Sequence, residues 1–528
     1  MKKLISITII LTMAAAMLSG CGSSANSNGS QPDVPNQPPS QGAGTSPGTP
    51  ADPGVSAGSR SDIIIAIDSD ITTLHPCDYA TSNEARINDQ IYEHLMYAEG
   101  GILYPRLAES WEVGADGMTY TLHLVKGVTF HDGSPFTATD VKFSCELYQE
   151  SAYQGASVDG LKSVDVVDDH TVILKTSTVF SPFLENLAAV RISSKSYFDS
   201  AGADKFAGAP IGCGAYQFVS RDLGSKITLR AFDDYYRGAP AIKDVIFRVL
   251  TDNATITMSL QAGEVDFVNI RETSYADLIG YPGIIIQEVP MSRFGFISLN
   301  HEKYPFSEVK FRQAVAYAID RQNLIDLAMD GIGIVNSNLI SPLRFGWSAD
   351  QPEYTYNPDK AKALLAEIGI QTPYDLGILP VAEQYKTQAE VIQSDLSKVG
   401  LIVQIEVQEF NALLGSLFNG DIGITTMQMS LEGVTQTYAM ALTSPYVGMA
   451  NNVRYSNPEI DALFERAVEA VDENARFAIY DEIFTRVQEE AVFVILFNTV
   501  GLYAYSNQLI VPVLALEGDY FIFDLNWK

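Results

Sequence analysis

A chain of 528 residues has room for two to four domains' worth of core, and 46% hydrophobic with 10% aromatic residues describes a well-packed globular protein. Against 34 basic residues stand 64 acidic ones, a formal net charge of −30. Such a surface repels nucleic-acid phosphates and anionic headgroups, which makes both poor partners.

The amino-terminal segment stands apart from the fold. Lys2 and Lys3 precede an apolar stretch from Leu4 to Met17, the layout of a signal peptide over residues 1–20. The apolar run is shorter than the ~20 residues a spanning helix needs. Leu18-Ser19-Gly20-Cys21 then reads as a lipobox, with Cys21 the lipidation site after cleavage. Residues 21–60 are dominated by Gly, Ser, Pro, Asn and Gln and cannot bury enough apolar surface to order themselves. They read as a tether with a reach of roughly 35 Å. The mature protein is expected on the outer face of the plasma membrane, lipid-anchored and outside the cytoplasm.

Asp62 to Ile67 is a strand by its β-branched run, and Asn88 to Met96 reads as a short helix. The most informative stretch is 107–144, LAESWEVGADGMTYTLHLVKGVTFHDGSPFTATDVKFS. Tyr120, Leu122 and Leu124 alternate with polar neighbours at strand period, between turns at Asp116-Gly117 and Asp132-Gly133. Thr137 with Asp140 then predicts a capped helix. Val164–Val167 and Thr171–Leu174 flank a turn at Asp168-Asp169-His170, whose aspartates suit backbone hydrogen bonds better than acid–base work.

Strands at 227–232 and 244–250, a helix at 254–261 and a strand at 293–300 close the first half. Ser307 is then read as the cap of a helix with Phe311, Ala314, Val315 and Ala318 on one face. Asn357-Pro358 and Asn457-Pro458 each open a helix. Further helices are predicted over 383–399 and 472–490, and strands over 401–407, 422–430 and 491–496. This alternation predicts a second α/β lobe, with chain crossings near 295 and 495.

Cys77, Cys145 and Cys213 fit no zinc spacing and read as buried small hydrophobes, although one pair could be bridged. His75, His94 and His131 lack an i,i+4 partner and a nearby cysteine set, so turn or surface roles are expected. No Gly-x-Ser-x-Gly elbow, His-Glu-x-x-His pair or phosphate loop is present, which disfavours an enzyme.

The ordered motifs Ala108-Glu109-Ser110-Trp111, Lys126-Gly127-Val128, Phe130-His131-Asp132-Gly133, Tyr235-Tyr236-Arg237-Gly238 and Gly263-Glu264-Val265-Asp266 resemble those of the family 5 extracellular solute-binding proteins. These are the peptide/nickel-type receptors of ABC importers. The chain departs from the pattern at His75, where relatives carry aspartate, and at Cys213 and Ala215 in its PIGCGAY segment. The resemblance implies an α/β, two-lobed periplasmic-binding-protein-like fold (class II type) with a hinge and an extra third subdomain. Lobe I would take residues 61–100, 206–295 and 496–528, the third subdomain 101–205, and lobe II 296–495.

It further implies a monomeric receptor that hands short peptides to an ABC permease, with no cofactor, metal or catalytic residue. A nickel complex, sugar or other solute, or peptide sensing, is the alternative. By position in the family, Tyr79, Thr81 and Ser82 would contact ligand from lobe I, and Thr426, Met427, Gln428 and Ser430 from lobe II. Phe497 and Asn498 would line the hinge. Where peptide-binding relatives place an aspartate for the ligand's ammonium, Glu432 is the nearest carboxylate here.

Overall fold

The computed structural model describes residues 60–528 except 100, 343, 432–434 and 515–517; Cys21, the tether and Glu432 therefore lie outside the described residues. Two long antiparallel strands, Ile284–Leu299 and Val494–Ser506, form the backbone of the architecture. They belong to a nine-stranded sheet ordered Tyr216–Asp222, Lys226–Ala231, Asp244–Val249, Asp62–Ile67, Phe267–Ile270, Val494–Ser506, Ile284–Leu299, Ile424–Ser430, with Ile334–Val335 also pairing on Val494–Ser506. Asp62–Ile67 lies parallel between its two neighbours. Its β-branched run suits a strand covered on both faces.

Each long strand contributes to several cores. Val289, Tyr503 and Tyr505 pack with Ile63, Ile65 and Phe267. Further along the same strands, Ile297, Leu299, Val494 and Leu496 pack with Phe311, Val315 and Leu396. The pairing register shifts between Pro290 and Phe294, opposite Asn498–Val500, where one core gives way to the other. A bulge of this kind bends a strand and raises its twist. Both strands continue through the bend with buried apolar residues on either side of it.

A third core sits under a four-stranded antiparallel sheet ordered Ala108–Val113, Thr119–Leu124, Thr171–Thr176, Leu161–Asp168. Tyr120, Leu122 and Leu124 turn inward beneath the helix Ala138–Glu150, as their alternation requires. Thr137 and Asp140 form the reciprocal cap expected of them.

Several expectations need correction. Asn88–Met96 is not one helix: the helix is Ser82–Ile91, followed by the short strands Glu93–His94 and Met96–Glu99. Its cap is Thr81, whose hydroxyl accepts from Glu84 N while the Glu84 carboxylate accepts from Thr81 N, at 3.3 and 3.0 Å. The helix assigned to a Ser307 cap runs Val309–Ala318 behind Glu308, with its apolar face buried as read. His94 is buried in a short strand, neither in a turn nor on the surface, whereas His131 is half-buried in a turn as expected. His131 Nδ1 accepts from Gly212 N at 3.3 Å and Nε2 faces Gly214 O at 3.0 Å, and burial pushes its pKa down to about 4. Cys77, Cys145 and Cys213 are all free and buried. Among the described residues no helix is long and apolar enough to cross a membrane.

Candidate ligand site between the cores

A cavity of ≈ 310 Å³ opens among several cores. Asp89 on the helix Ser82–Ile91 and His94, Tyr97 and Glu99 on the two short strands after it line the cavity, together with Tyr520 and Phe521. Glu185, Ala188 and Arg191 come from the third core, and Arg344, Phe345 and Thr435 close the far side. Phe345 packs on the core that holds Phe296 and Phe484, so the walls belong to different bodies of the fold.

The floor is a buried charge network. Arg191 places Nη2 2.6 Å and Nε 2.8 Å from Asp89 Oδ1. Its Nη1 donates to the Tyr79 hydroxyl at 2.7 Å, and the guanidinium lies 4.8 Å from that ring's centroid. His94 Nε2 approaches the same Asp89 oxygen at 3.0 Å, and Nδ1 faces Ala188 O at 2.8 Å. Burial opposes ionisation of Asp89 most strongly, but the Arg191 charge and the His94 ring together outweigh it and hold the carboxyl below its usual range. A buried ion pair of this kind needs its remaining donors satisfied, and Pro76 O and Ala85 O accept from Arg191 at 3.4 and 3.3 Å.

One wall is aromatic. Tyr97 and Phe521 meet edge to face at 5.5 Å, with Arg106 over the Phe521 ring at 4.8 Å. At the rim Glu185 pairs with Arg476 at 2.9 Å. Burial pushes the Glu185 carboxyl up to about 7, against the pull of Arg476 and with Glu473 adding to the rise. Glu99, Asp519 and Arg344 add charge of both signs. The arrangement can receive a ligand with its own charges, amides and apolar groups.

The sequence-derived site residues separate in the structure. Tyr79 lines the cavity. Thr81 and Ser82 are exposed at the start of their helix, where Thr81 serves as cap. Thr426 is fully buried, donating to Phe296 O at 3.0 Å and accepting from Gln388. Met427 belongs to the core that holds Phe296. Gln428 and Ser430 are half-buried near the end of the edge strand. Phe497 is fully buried, and Asn498 donates to Met291 O at 3.2 Å while lining a separate recess beside Pro290 and Tyr354.

Sequence reading missed Asp89, Glu185, Arg191 and Phe345. A signal existed for one of them: Arg191 stands alone within Leu187-Ala188-Ala189-Val190-Arg191-Ile192, and a charge in an apolar run needs a partner. It also overlooked Cys77 beside His75. Ligand atoms of His75, Cys77 and Asp78 lie within 4.8 Å of one another. However, His75 Nδ1 already accepts from Asp78 N at 3.1 Å, and burial pushes the Cys77 thiol up to about 12. Both features work against metal ligation.

Separate cores joined by two crossing strands, with a polar cavity between them, define a hinged, two-lobed binding protein. The chain belongs to the bacterial extracellular solute-binding proteins of family 5, whose middle region matches residues 103–451. It is 34% identical to the dipeptide-binding protein of Escherichia coli over 60% of this chain and 65% of that one. It is 29% identical to heme-binding protein A of Haemophilus influenzae, covering 80% and 84% respectively, and 27% identical to the oligopeptide-binding protein AppA of Bacillus subtilis, covering 95% and 93%. HbpA2 from Haemophilus parasuis superposes with a TM-score of 0.80 at 25% identity, over 88% of this chain and all of that one.

Proposed function

We propose that this protein is the substrate-binding receptor of an ABC importer, capturing short peptides between its lobes and delivering them to a membrane permease. Family members are extracytoplasmic binding proteins rather than enzymes. The observation that carries the reading is the cavity itself, lined from separate cores that two continuous strands connect. A ligand touching both sides favours the conformation that brings them together. Peptides suit the walls, which carry side chains of both charges beside an aromatic face. Relatives named for dipeptides and oligopeptides support the class.

The mature chain acts as a monomer on the outer face of the plasma membrane, held by a lipid on Cys21 and spaced from it by residues 22–60. Glu432 remains a candidate partner for a ligand ammonium. A thermal-shift screen against di- to pentapeptides, heme and nickel–histidine tests the reading. A peptide at a hundred times its dissociation constant stabilises by about 2.7 kcal/mol. A response to heme or nickel–histidine with silence from all peptides would overturn the peptide assignment and leave the receptor fold intact.

A further inference from the structure

Glu185 lies at the edge of the candidate ligand cavity. A second hollow of ≈ 290 Å³ lies beyond it, and Gly101 and Glu185 line both. Apolar side chains converge on one part of it, Ile102, Trp111, Val113, Leu184 and Val471 among them, beside the charged Glu185, Glu473 and Arg476. Ile102, Val113 and Val471 are 57%, 41% and 47% exposed although they come from three separate segments. Large apolar side chains scattered singly over a surface are ordinary, whereas convergence on one hollow marks a place where something apolar is received.

The partition between the hollows is polar and fixed. Arg476 Nη2 lies 2.9 Å from Glu185 Oε1, and both side chains are nearly buried, at 11% and 9% exposure. Arg476 Nη1 donates to Ser181 O at 2.9 Å, and the guanidinium lies 5.0 Å from the centroid of Phe345. Phe345 lines the first cavity and Arg476 the second, so the partition reaches into each chamber.

We propose that the second hollow is a specificity subsite for a bulky apolar side chain of the ligand held in the first cavity, with the Glu185–Arg476 pair as the polar sill between them. The occupant is the same peptide because Glu185 and Gly101 line both chambers. This proposal rests on the peptide reading. Burying a Leu- or Phe-sized group there removes apolar surface from water on both partners, which gives about tenfold or more in affinity.

The test is calorimetric titration of the protein with tetra-alanine and with the four tetrapeptides carrying a single phenylalanine. One of the four is expected to bind about tenfold or more tightly than tetra-alanine. Ile102→Asp, at an exposed position, should collapse that ratio toward one, while Ile102→Leu retains it. Four phenylalanine peptides binding like tetra-alanine, or a ratio indifferent to Ile102→Asp, would overturn the subsite and leave peptide binding standing. If none of the five peptides binds, the peptide reading itself fails and the subsite falls with it.

Discussion

The ring of Phe497 occupies the space that a side chain at residue 295 would need: a Cβ on Gly295 would stand 2.4 Å from Phe497 Cζ. The two are register partners on the crossing strands, just beyond the bulge where one core passes into the next. Gly295→Ala should therefore overpack the crossing and destabilise by about 1–3 kcal/mol in urea unfolding. Adding Phe497→Leu should recover part of the loss, because residues in contact couple. Additive losses would show that the strands relax around the new methyl group.

Arg191 neutralises Asp89 on the cavity floor. Arg191→Met leaves that buried carboxylate with His94 alone, a loss of about 3 kcal/mol. Removing both charges in Arg191→Met/Asp89→Asn should cost less than removing the arginine alone. Equal losses would mean that Arg191 acts through its contacts with Tyr79, Pro76 and Ala85 rather than through Asp89.

Glu185 gives the rim a pH dependence of definite sign. Its folded pKa of about 7 lies above the ordinary 4.5, so between these values the folded chain holds a proton that the unfolded chain has lost. Stability relative to Glu185→Gln should fall as pH rises from about 4.5 to about 7, by at most about 3 kcal/mol, and level off above. Unfolding curves of both proteins across that range provide the check. A difference that grows in favour of the native side chain would contradict it.

His131 has the opposite slope. Held neutral with a pKa of about 4, it leaves the folded chain short of a proton that the unfolded chain takes up below about 6.5. Its contribution is complete above that value and is lost as pH falls toward 4. His131→Gln should flatten the acid limb of the stability curve over that interval, and an unchanged limb would assign acid lability to other groups.

Local signals made much of the fold legible. Thr119–Leu124, the Thr137 cap and the Asn457-Pro458 helix start follow from periodicity and capping chemistry that act within a few residues. The same chemistry misleads at Ser307, where the helix begins behind Glu308 instead, and at Thr81. Thr81-Ser82-Asn83-Glu84 is a capping box, yet family position assigned its first two residues to the ligand. The site was far less legible, because it is assembled from segments more than a hundred residues apart. Asp89 meets Arg191, and Glu185 meets Arg476, only through tertiary packing. Nor does sequence distinguish which polar residues of a strand face ligand: Thr426 looks available but spends its hydroxyl inside the sheet.

The central claim, that a peptide is held by separate cores at once, is tested most directly by backbone hydrogen exchange with and without a bound tetrapeptide. Protection should rise together in segments 89–99, 185–191, 344–345 and 519–521, which line the cavity from its several sides. Protection confined to one side, or appearing instead around Asn336 and Tyr354 in the separate recess, would contradict capture between the lobes.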